Sequence, residues 1–270
     1  MLAFVMLLGC VKTKTVDTAA EVFAPQTGTL DESFTSSTGA TGDLRIIVPD
    51  DIADGDYGVL MFFGWDGGDE YYLEEADLHE PLAAEHRLVT VSMATPLIDG
   101  SGSGCWWAPA VQDNAAFVAE FIEQRLIGEL RVDPERVFLT GLSGGADFAA
   151  ALPYHTDFTW GGGVVALCGG DIPRLNGGSC ATEQDPEAAP APTGLSDGVL
   201  SKVRYDFAST ADDYLLENAE EAAAFYTGLG FERVRQRTVD GAGHCGFAEG
   251  WEGLDTLADG LDYVDPRVTP

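Results

Sequence analysis

A serine in a glycine-rich corner is the residue of this sequence whose setting most suggests chemistry. Ser143 is the centre of the run Gly141-Leu142-Ser143-Gly144-Gly145, which joins an apolar stretch to an alanine-rich one. A nucleophilic serine on a tight strand-to-helix turn needs small residues two positions away, because larger side chains would collide there. The N–H group of Gly144 would lie at a helix N-terminus and could donate to an oxyanion. The pattern also fits a small residue in an ordinary turn, so it needs support from a base and an acid.

A histidine and a pair of aspartates lie where a base and an acid would be needed. His244 follows a Gly-Ala-Gly stretch at the end of the last predicted strand, and Asp212 and Asp213 follow the predicted strand before it. Serine, aspartate, histidine is the chain order of the triads in α/β-hydrolases. We therefore predict Ser143 as nucleophile, His244 as base and Asp212 as acid, with Asp213 as the alternative acid.

Strand and helix patterns alternate along most of the chain. β-Branched and aromatic runs predict strands at 43–49, 57–65, 88–96, 136–143, 162–170, 202–210 and 233–244. Helical spacing of apolar residues predicts helices at 72–87, 113–130, 145–155 and 217–231, and a weaker one at 247–264. The alternation predicts one α/β domain with a mostly parallel central sheet and helices on both faces. Sites in such sheets form at the carboxyl ends of the strands, where the serine, aspartate and histidine would meet.

Three segments, 132–149, 209–231 and 240–247, resemble the α/β-hydrolase branch of secreted polyhydroxybutyrate depolymerases, feruloyl esterases and related esterases. The resemblance spans roughly 42–264 and includes a Cys-Trp segment at 103–107. It implies the α/β-hydrolase fold and an exported serine esterase that needs no cofactor and no metal.

The resemblance also implies roles for particular residues. Ser143 would be the nucleophile, Asp212 the triad acid and His244 the base. The oxyanion would be held by the N–H group of Gly144 and by a second N–H group near Trp65.

Two features depart from the pattern of this branch. The loop before the second oxyanion donor usually carries His-Gly, whereas this chain has Phe63 at the histidine position. Leu142 precedes the serine, so the nucleophile-adjacent disulfide of tannase-like feruloyl esterases is not expected. The first departure puts the geometry of the oxyanion loop in question.

Three tryptophans are candidates for substrate binding. Trp65, Trp106 and Trp107 fall in loops expected to flank the cleft. An aromatic platform for an acyl or sugar group is one interpretation, and ordinary packing under loops is the other, because aromatic side chains serve both purposes.

The cysteines predict disulfides. Four cysteines follow Cys10, an even number with no CxxC metal spacing. On the fold that the resemblance implies, Cys105 and Cys245 both lie in loops at the carboxyl edge of the sheet, so we predict that they pair and brace the His244 loop. The remaining bridge, Cys168–Cys180, would then close a local loop.

The first ten residues, MLAFVMLLGC, read as a targeting segment. Their end, Leu-Leu-Gly-Cys, resembles the lipobox of bacterial lipoproteins, which implies cleavage before Cys10 and acylation of its sulfur. The apolar stretch is short and no Lys or Arg precedes it, which departs from an ordinary export signal. We predict a signal peptide at 1–10, a flexible tether with room for a first strand at 11–41, and a catalytic domain at 42–270. The protein would be lipid-anchored in the bacterial cell envelope or secreted.

The net charge of the chain limits the kinds of partner that it can bind. Forty-five Asp and Glu against 14 Lys and Arg give a formal net charge of −31, which repels nucleic acid. The acids are scattered as on a solvated acidic face, which would also suit high salt. We expect a monomer whose partners are an ester substrate and, through Cys10, a membrane.

The predicted function is hydrolysis of carboxylic esters of aryl (feruloyl), acetyl-polysaccharide or polyester type. Two alternatives stay open. The altered loop around Phe63 allows a catalytically impaired hydrolase fold that serves as a binding module. A serine peptidase of the same fold is the other, although the chain has no room for the large extra domain that such peptidases usually carry.

Overall fold

The computed structural model describes residues 24–96, 104–107, 111–156, 160–173, 195 and 197–268. The predictions for segment 1–10 with Cys10, for the start of the tether and for Cys180 lie outside these residues. No helix in the described ranges combines the length and apolar character that a membrane crossing requires.

One sheet of eight strands organises the described residues, in the order β1-β2-β4-β3-β5-β6-β7-β8. The strands are β1 Gly28–Thr35, β2 Thr41–Val48, β3 Gly58–Phe63, β4 Leu88–Met93, β5 Val137–Leu142, β6 Gly162–Leu167, β7 Val203–Thr210 and β8 Arg233–Val239. β2 is antiparallel to both of its neighbours, and the pairs from β4 to β8 are all parallel. The predicted mostly parallel sheet is therefore confirmed.

Helices cover both faces of this sheet. They are α1 Tyr72–Glu85, α2 Val111–Phe121, α3 Gly144–His155, α4 Asp197–Lys202, α5 Leu216–Leu229 and α6 Leu254–Val264. α2 continues over Ile122–Glu129 with π-helical hydrogen bonding.

The core is split by the sheet into two clusters. Alternate residues of β3 point to opposite faces, so Met61 and Phe63 join the cluster under α2, α3 and α5, while Phe62 joins the cluster under α1 and α6. The central strands β3 to β6 are buried along their whole length, which explains why they are near-continuous apolar runs.

Several predicted strands were too long at their carboxyl ends. The strand predicted at 57–65 ends at Phe63 and the one predicted at 233–244 ends at Val239. The residues beyond Phe63 and Val239 lie in loops, which include Trp65 and His244. The start of the helix predicted at 247–264 was also wrong, because the chain turns until Gly253, which has a φ of 61° that few residues other than glycine adopt.

Candidate active site

The serine of the glycine-rich corner lies on a strained turn between β5 and α3. Ser143 has φ 53° and ψ −123°, a conformation that a non-glycine residue adopts only when its surroundings enforce it. Its N–H group donates to the carbonyl of Leu167 on β6 at 3.1 Å, and its own carbonyl accepts from Ala146 at 2.9 Å. These bonds hold the side chain at the carboxyl edge of the sheet.

The glycines around the serine are required by close backbone approach. A Cβ on Gly141 would lie 2.5 Å from the carbonyl carbon of Gly145. A Cβ on Gly145 would lie 2.1 Å from the carbonyl oxygen of Phe63. The corner thus packs directly against the loop that follows β3, as a nucleophile turn requires.

His244 links the serine to a carboxylate. Its Nε2 atom lies 2.9 Å from Ser143 Oγ, and its Nδ1 atom lies 2.9 Å from Asp213 Oδ1. Because a carboxylate only accepts, Nδ1 carries the proton that it donates to Asp213, and Nε2 is free to accept from the serine hydroxyl.

The acid beside His244 is therefore Asp213, and the prediction of Asp212 was wrong. Asp213 is 6% exposed, and its Oδ1 atom also accepts from the N–H group of Leu215 at 2.8 Å. Asp212 is exposed, and its Oδ1 atom accepts from the N–H group of Gly243 at 2.6 Å. Asp212 thus braces the histidine loop from outside instead of touching the imidazole.

Cys245, in the histidine loop, forms a disulfide with a different cysteine from the one predicted. Cys168, directly after β6, is bonded to Cys245, with a Cα–Cα distance of 5.1 Å. Both predicted pairs, Cys105–Cys245 and Cys168–Cys180, were wrong. Cys168 follows β6, and the loop that carries His244 and Cys245 follows β8, two strands away in the sheet. The sequence does not specify this order of strands, so it did not show that Cys168 and Cys245 meet. Cys105 takes part in a disulfide as well.

Removing the Cys168–Cys245 bridge should destabilise the fold. The bond spans 77 residues, and constraining a loop of that length in the unfolded chain contributes about 4 kcal/mol. We expect the double variant Cys168→Ser/Cys245→Ser to lose about that much unfolding free energy in a urea titration. A loss below about 1 kcal/mol would show that the bridge does not constrain the unfolded chain.

The loop after β3 supplies the candidate second oxyanion donor. Within the described part of the chain, the N–H groups of Gly144 and Trp65 donate no hydrogen bond. Phe63, at the position where histidine was expected, is fully buried and packs edge-on against Trp106 and Phe148. The side chain of Phe63 therefore fills the core, while its backbone carbonyl packs against the glycines on both sides of Ser143.

A carboxylate lies unusually close to that corner. A Cβ on Gly144 would lie 2.1 Å from Asp66 Oδ1, so this side chain occupies the space beside the serine turn. Trp107 donates from Nε1 to both oxygens of Asp66, at 3.0 and 3.1 Å. Partial desolvation raises the pKa of Asp66, and the hydrogen bond from Trp107 offsets this only in part.

The three predicted tryptophans have three different environments. Trp65 lines the pocket above the serine, whereas Trp107 reaches that pocket only through Asp66. Trp106 is 2% exposed and stacks on Phe148 with ring centroids 4.9 Å apart. The prediction that Trp106 binds substrate was wrong, because the ring belongs to the core.

The pocket contains residues that the sequence did not reveal. It has a volume of about 730 Å³. Its walls are formed by Trp65, Asp66, Tyr71, Glu74, Glu75, Leu78, Leu142, Ser143, Tyr214, His244, Cys245 and Trp251. The ring of Tyr214 packs against that of His244, with ring centroids 4.3 Å apart. Tyr214 could have been found because it directly follows the candidate acid Asp213. Trp251 could not, because it lay in a segment that was predicted to be a helix.

Solved structures of known enzymes share this architecture. A fungal esterase from Rhizomucor miehei matches with a TM-score of 0.62 at 16% identity, over 88% of this chain and 82% of the esterase. The poly(3-hydroxybutyrate) depolymerase LpqC from Bordetella parapertussis matches with a TM-score of 0.58 at 18% identity, over 87% and 90%. The chain has the α/β-hydrolase fold. A ferulic acid esterase matches this chain with a TM-score of 0.56 at 16% identity, over 88% and 97%. A scan against protein-family models and a sequence search of curated proteins each find no match.

Proposed function

We propose that this chain is a serine hydrolase that cleaves carboxylic esters. The observation that carries the proposal is the chain of two 2.9 Å contacts from Ser143 Oγ through the imidazole of His244 to Asp213. Several structural neighbours are esterases by name, and this agrees with the proposal. Aryl (feruloyl), acetyl-polysaccharide and polyester substrates remain the candidate classes.

The geometry supports an acyl-enzyme mechanism. His244 accepts the proton of Ser143 as Oγ attacks the ester carbonyl, and Asp213 stabilises the imidazolium that forms. The N–H groups of Gly144 and Trp65 would hold the oxyanion, and one such donor contributes about 3 kcal/mol. The imidazolium then protonates the leaving alcohol. Water attacks the acyl-enzyme through the same groups and restores the serine.

Export to an oxidising compartment is part of the proposal. The lipobox-like end of the segment 1–10 motivates it. The Cys168–Cys245 bond supports it, because structural disulfides persist outside the reducing cytoplasm. We propose attachment to the bacterial cell envelope through Cys10, or release from it.

A non-catalytic binding module is the second candidate. It is favoured by Asp66, whose carboxylate lies against Gly144 and, when ionised, would oppose a neighbouring oxyanion.

Turnover of a matched ester and amide separates these functions. We expect the purified chain to hydrolyse p-nitrophenyl acetate with saturation kinetics and a kcat/KM well above that for p-nitroacetanilide, because phenolates leave more readily than anilines. Faster amide cleavage would favour a peptidase. No cleavage of either compound by folded protein would favour the binding module.

A further inference from the structure

Three aromatic rings, from the segment between β3 and α1 and from the turn before α6, form one wall of the pocket. The rings of Trp65 and Tyr71 stack with centroids 5.3 Å apart, and Trp251 meets Trp65 edge-on at 5.2 Å. Tyr71 and Trp251 are 43% and 48% exposed, so their rings are available to a ligand.

Carboxylates accompany these rings. Asp66, Glu74 and Glu75 line the same pocket, whereas its described lining contains neither Lys nor Arg. Aromatic rings combined with negative charge form an environment that favours a cation over a neutral or anionic group.

Glu75 is the carboxylate of this pocket that has the least contact with solvent. It is 3% exposed, and its Oε2 atom has no hydrogen-bond partner among the described residues. A buried carboxylate oxygen without a partner is costly, so its retention points to a group that arrives from outside. Burial, followed by the charges of Glu252 and Glu74, raises the pKa of Glu75 to about 7.

The nearest base does not neutralise Glu75. His79 Nδ1 lies 2.7 Å from the carbonyl oxygen of Glu75 and 3.6 Å from its Oε2 atom. Burial lowers the pKa of His79 to about 4, so the imidazole is neutral near pH 7. With its pKa raised to about 7, Glu75 is partly ionised at neutral pH, and a cation bound beside it would favour the ionised form.

The dipole of helix α1 explains only part of the clustering of these carboxylates. Glu74 and Glu75 lie in the first turn of α1, where the helix dipole stabilises carboxylates. That effect also operates at an exposed position such as Glu74. It gives no reason for burying a second carboxylate in the wall of the pocket.

We propose that the pocket selects esters that carry an alkylammonium cation, with the cation held against Trp65 and Trp251 and beside Glu75. This inference rests on the proposed esterase function. The net charge of −31 adds long-range attraction for such substrates. Esters with a free carboxylate near the cleaved bond would be repelled.

Two esters of equal shape and different charge test this proposal. Acetylcholine carries a trimethylammonium group, and 3,3-dimethylbutyl acetate carries a neutral tert-butyl group in its place. We expect wild-type kcat/KM to be about tenfold higher for the choline ester, from cation–π and carboxylate attraction together. A ratio at or below one would overturn the proposal, whatever the variants do.

Variants locate the selectivity. Glu75→Gln keeps the size of the side chain and removes its charge, and it should lower the ratio at least about threefold. Trp251→Leu, at an exposed position that tolerates replacement, should lower the ratio as well. Glu80→Gln removes a carboxylate from the same helix outside the pocket and should leave the ratio unchanged. An unchanged ratio in both pocket variants would overturn the proposal.

The two proposals fail in distinguishable ways. If p-nitrophenyl acetate and both test esters are inert, the esterase proposal fails. Calorimetric titration of the wild-type chain with choline and with 3,3-dimethylbutan-1-ol then decides the pocket proposal. Tighter binding of choline would support it, and equal or weaker binding would overturn it.

Discussion

Replacing Ser143 with alanine is expected to lower kcat for p-nitrophenyl acetate by about 10⁴-fold or more, because no other group can form the acyl-enzyme. The hydroxyl lies 2.9 Å from His244 Nε2, and the strained turn that holds it is fixed by backbone bonds that alanine retains. Initial rates over a range of substrate concentrations would measure the loss.

A matched serine keeps this test specific. Ser33→Ala on β1, at the opposite edge of the sheet from the histidine loop, should keep wild-type kcat. Both variants should give wild-type circular dichroism. A folded Ser143→Ala variant with more than about a tenth of wild-type kcat would contradict the nucleophile assignment.

The second large effect is expected at Asp213. Asp213→Asn should lower kcat by about 10⁴-fold, because a neutral amide no longer stabilises the imidazolium that forms when His244 accepts the serine proton. The fold should survive, since the asparagine oxygen can still accept from the N–H group of Leu215, which now bonds Asp213 Oδ1 at 2.8 Å.

The neighbouring aspartate is the control for this change. Asp212→Asn removes the same charge one residue away, and its remaining oxygen can still accept from Gly243. We expect kcat within about tenfold of wild type. If Asp212→Asn is the more damaging of the two, the acid is Asp212 and the geometry around His244 has been misjudged.

The fold could be predicted from the sequence because its signals are local. Buried strands such as Val137–Leu142 are short apolar runs, and the helix at Leu216–Leu229 ends at Gly230 in a left-handed conformation. The glycine pattern around Ser143 could also be interpreted, because each glycine reflects a backbone approach that larger residues forbid.

The choice between two adjacent aspartates could not be predicted. Both follow β7 in a turn, and which of them faces His244 depends on the backbone conformation after Thr210. The hydroxyl of Thr210 donates to the carbonyl oxygen of Gly243 at 2.6 Å and so helps to set the position of the histidine loop. Contacts between loops that are distant in sequence leave no periodic signal.

The disulfide pairing and the aromatic residues of the pocket could not be predicted, for the same reason. The pairing of Cys168 with Cys245 depends on strand order, which sequence patterns do not specify. Trp106 and Trp251 both lie outside the helices and strands, yet one is core and the other lines the pocket. Burial of single loop residues is decided by tertiary packing.

Labelling with a fluorophosphonate, followed by peptide mass spectrometry, would show whether Ser143 is an activated nucleophile. Such probes react with serines that a neighbouring base activates. We expect stoichiometric modification of Ser143 in the folded, disulfide-intact chain, and its loss in a His244→Ala variant. Absence of labelling in the folded wild-type chain, or equal labelling of the variant, would contradict this role of Ser143.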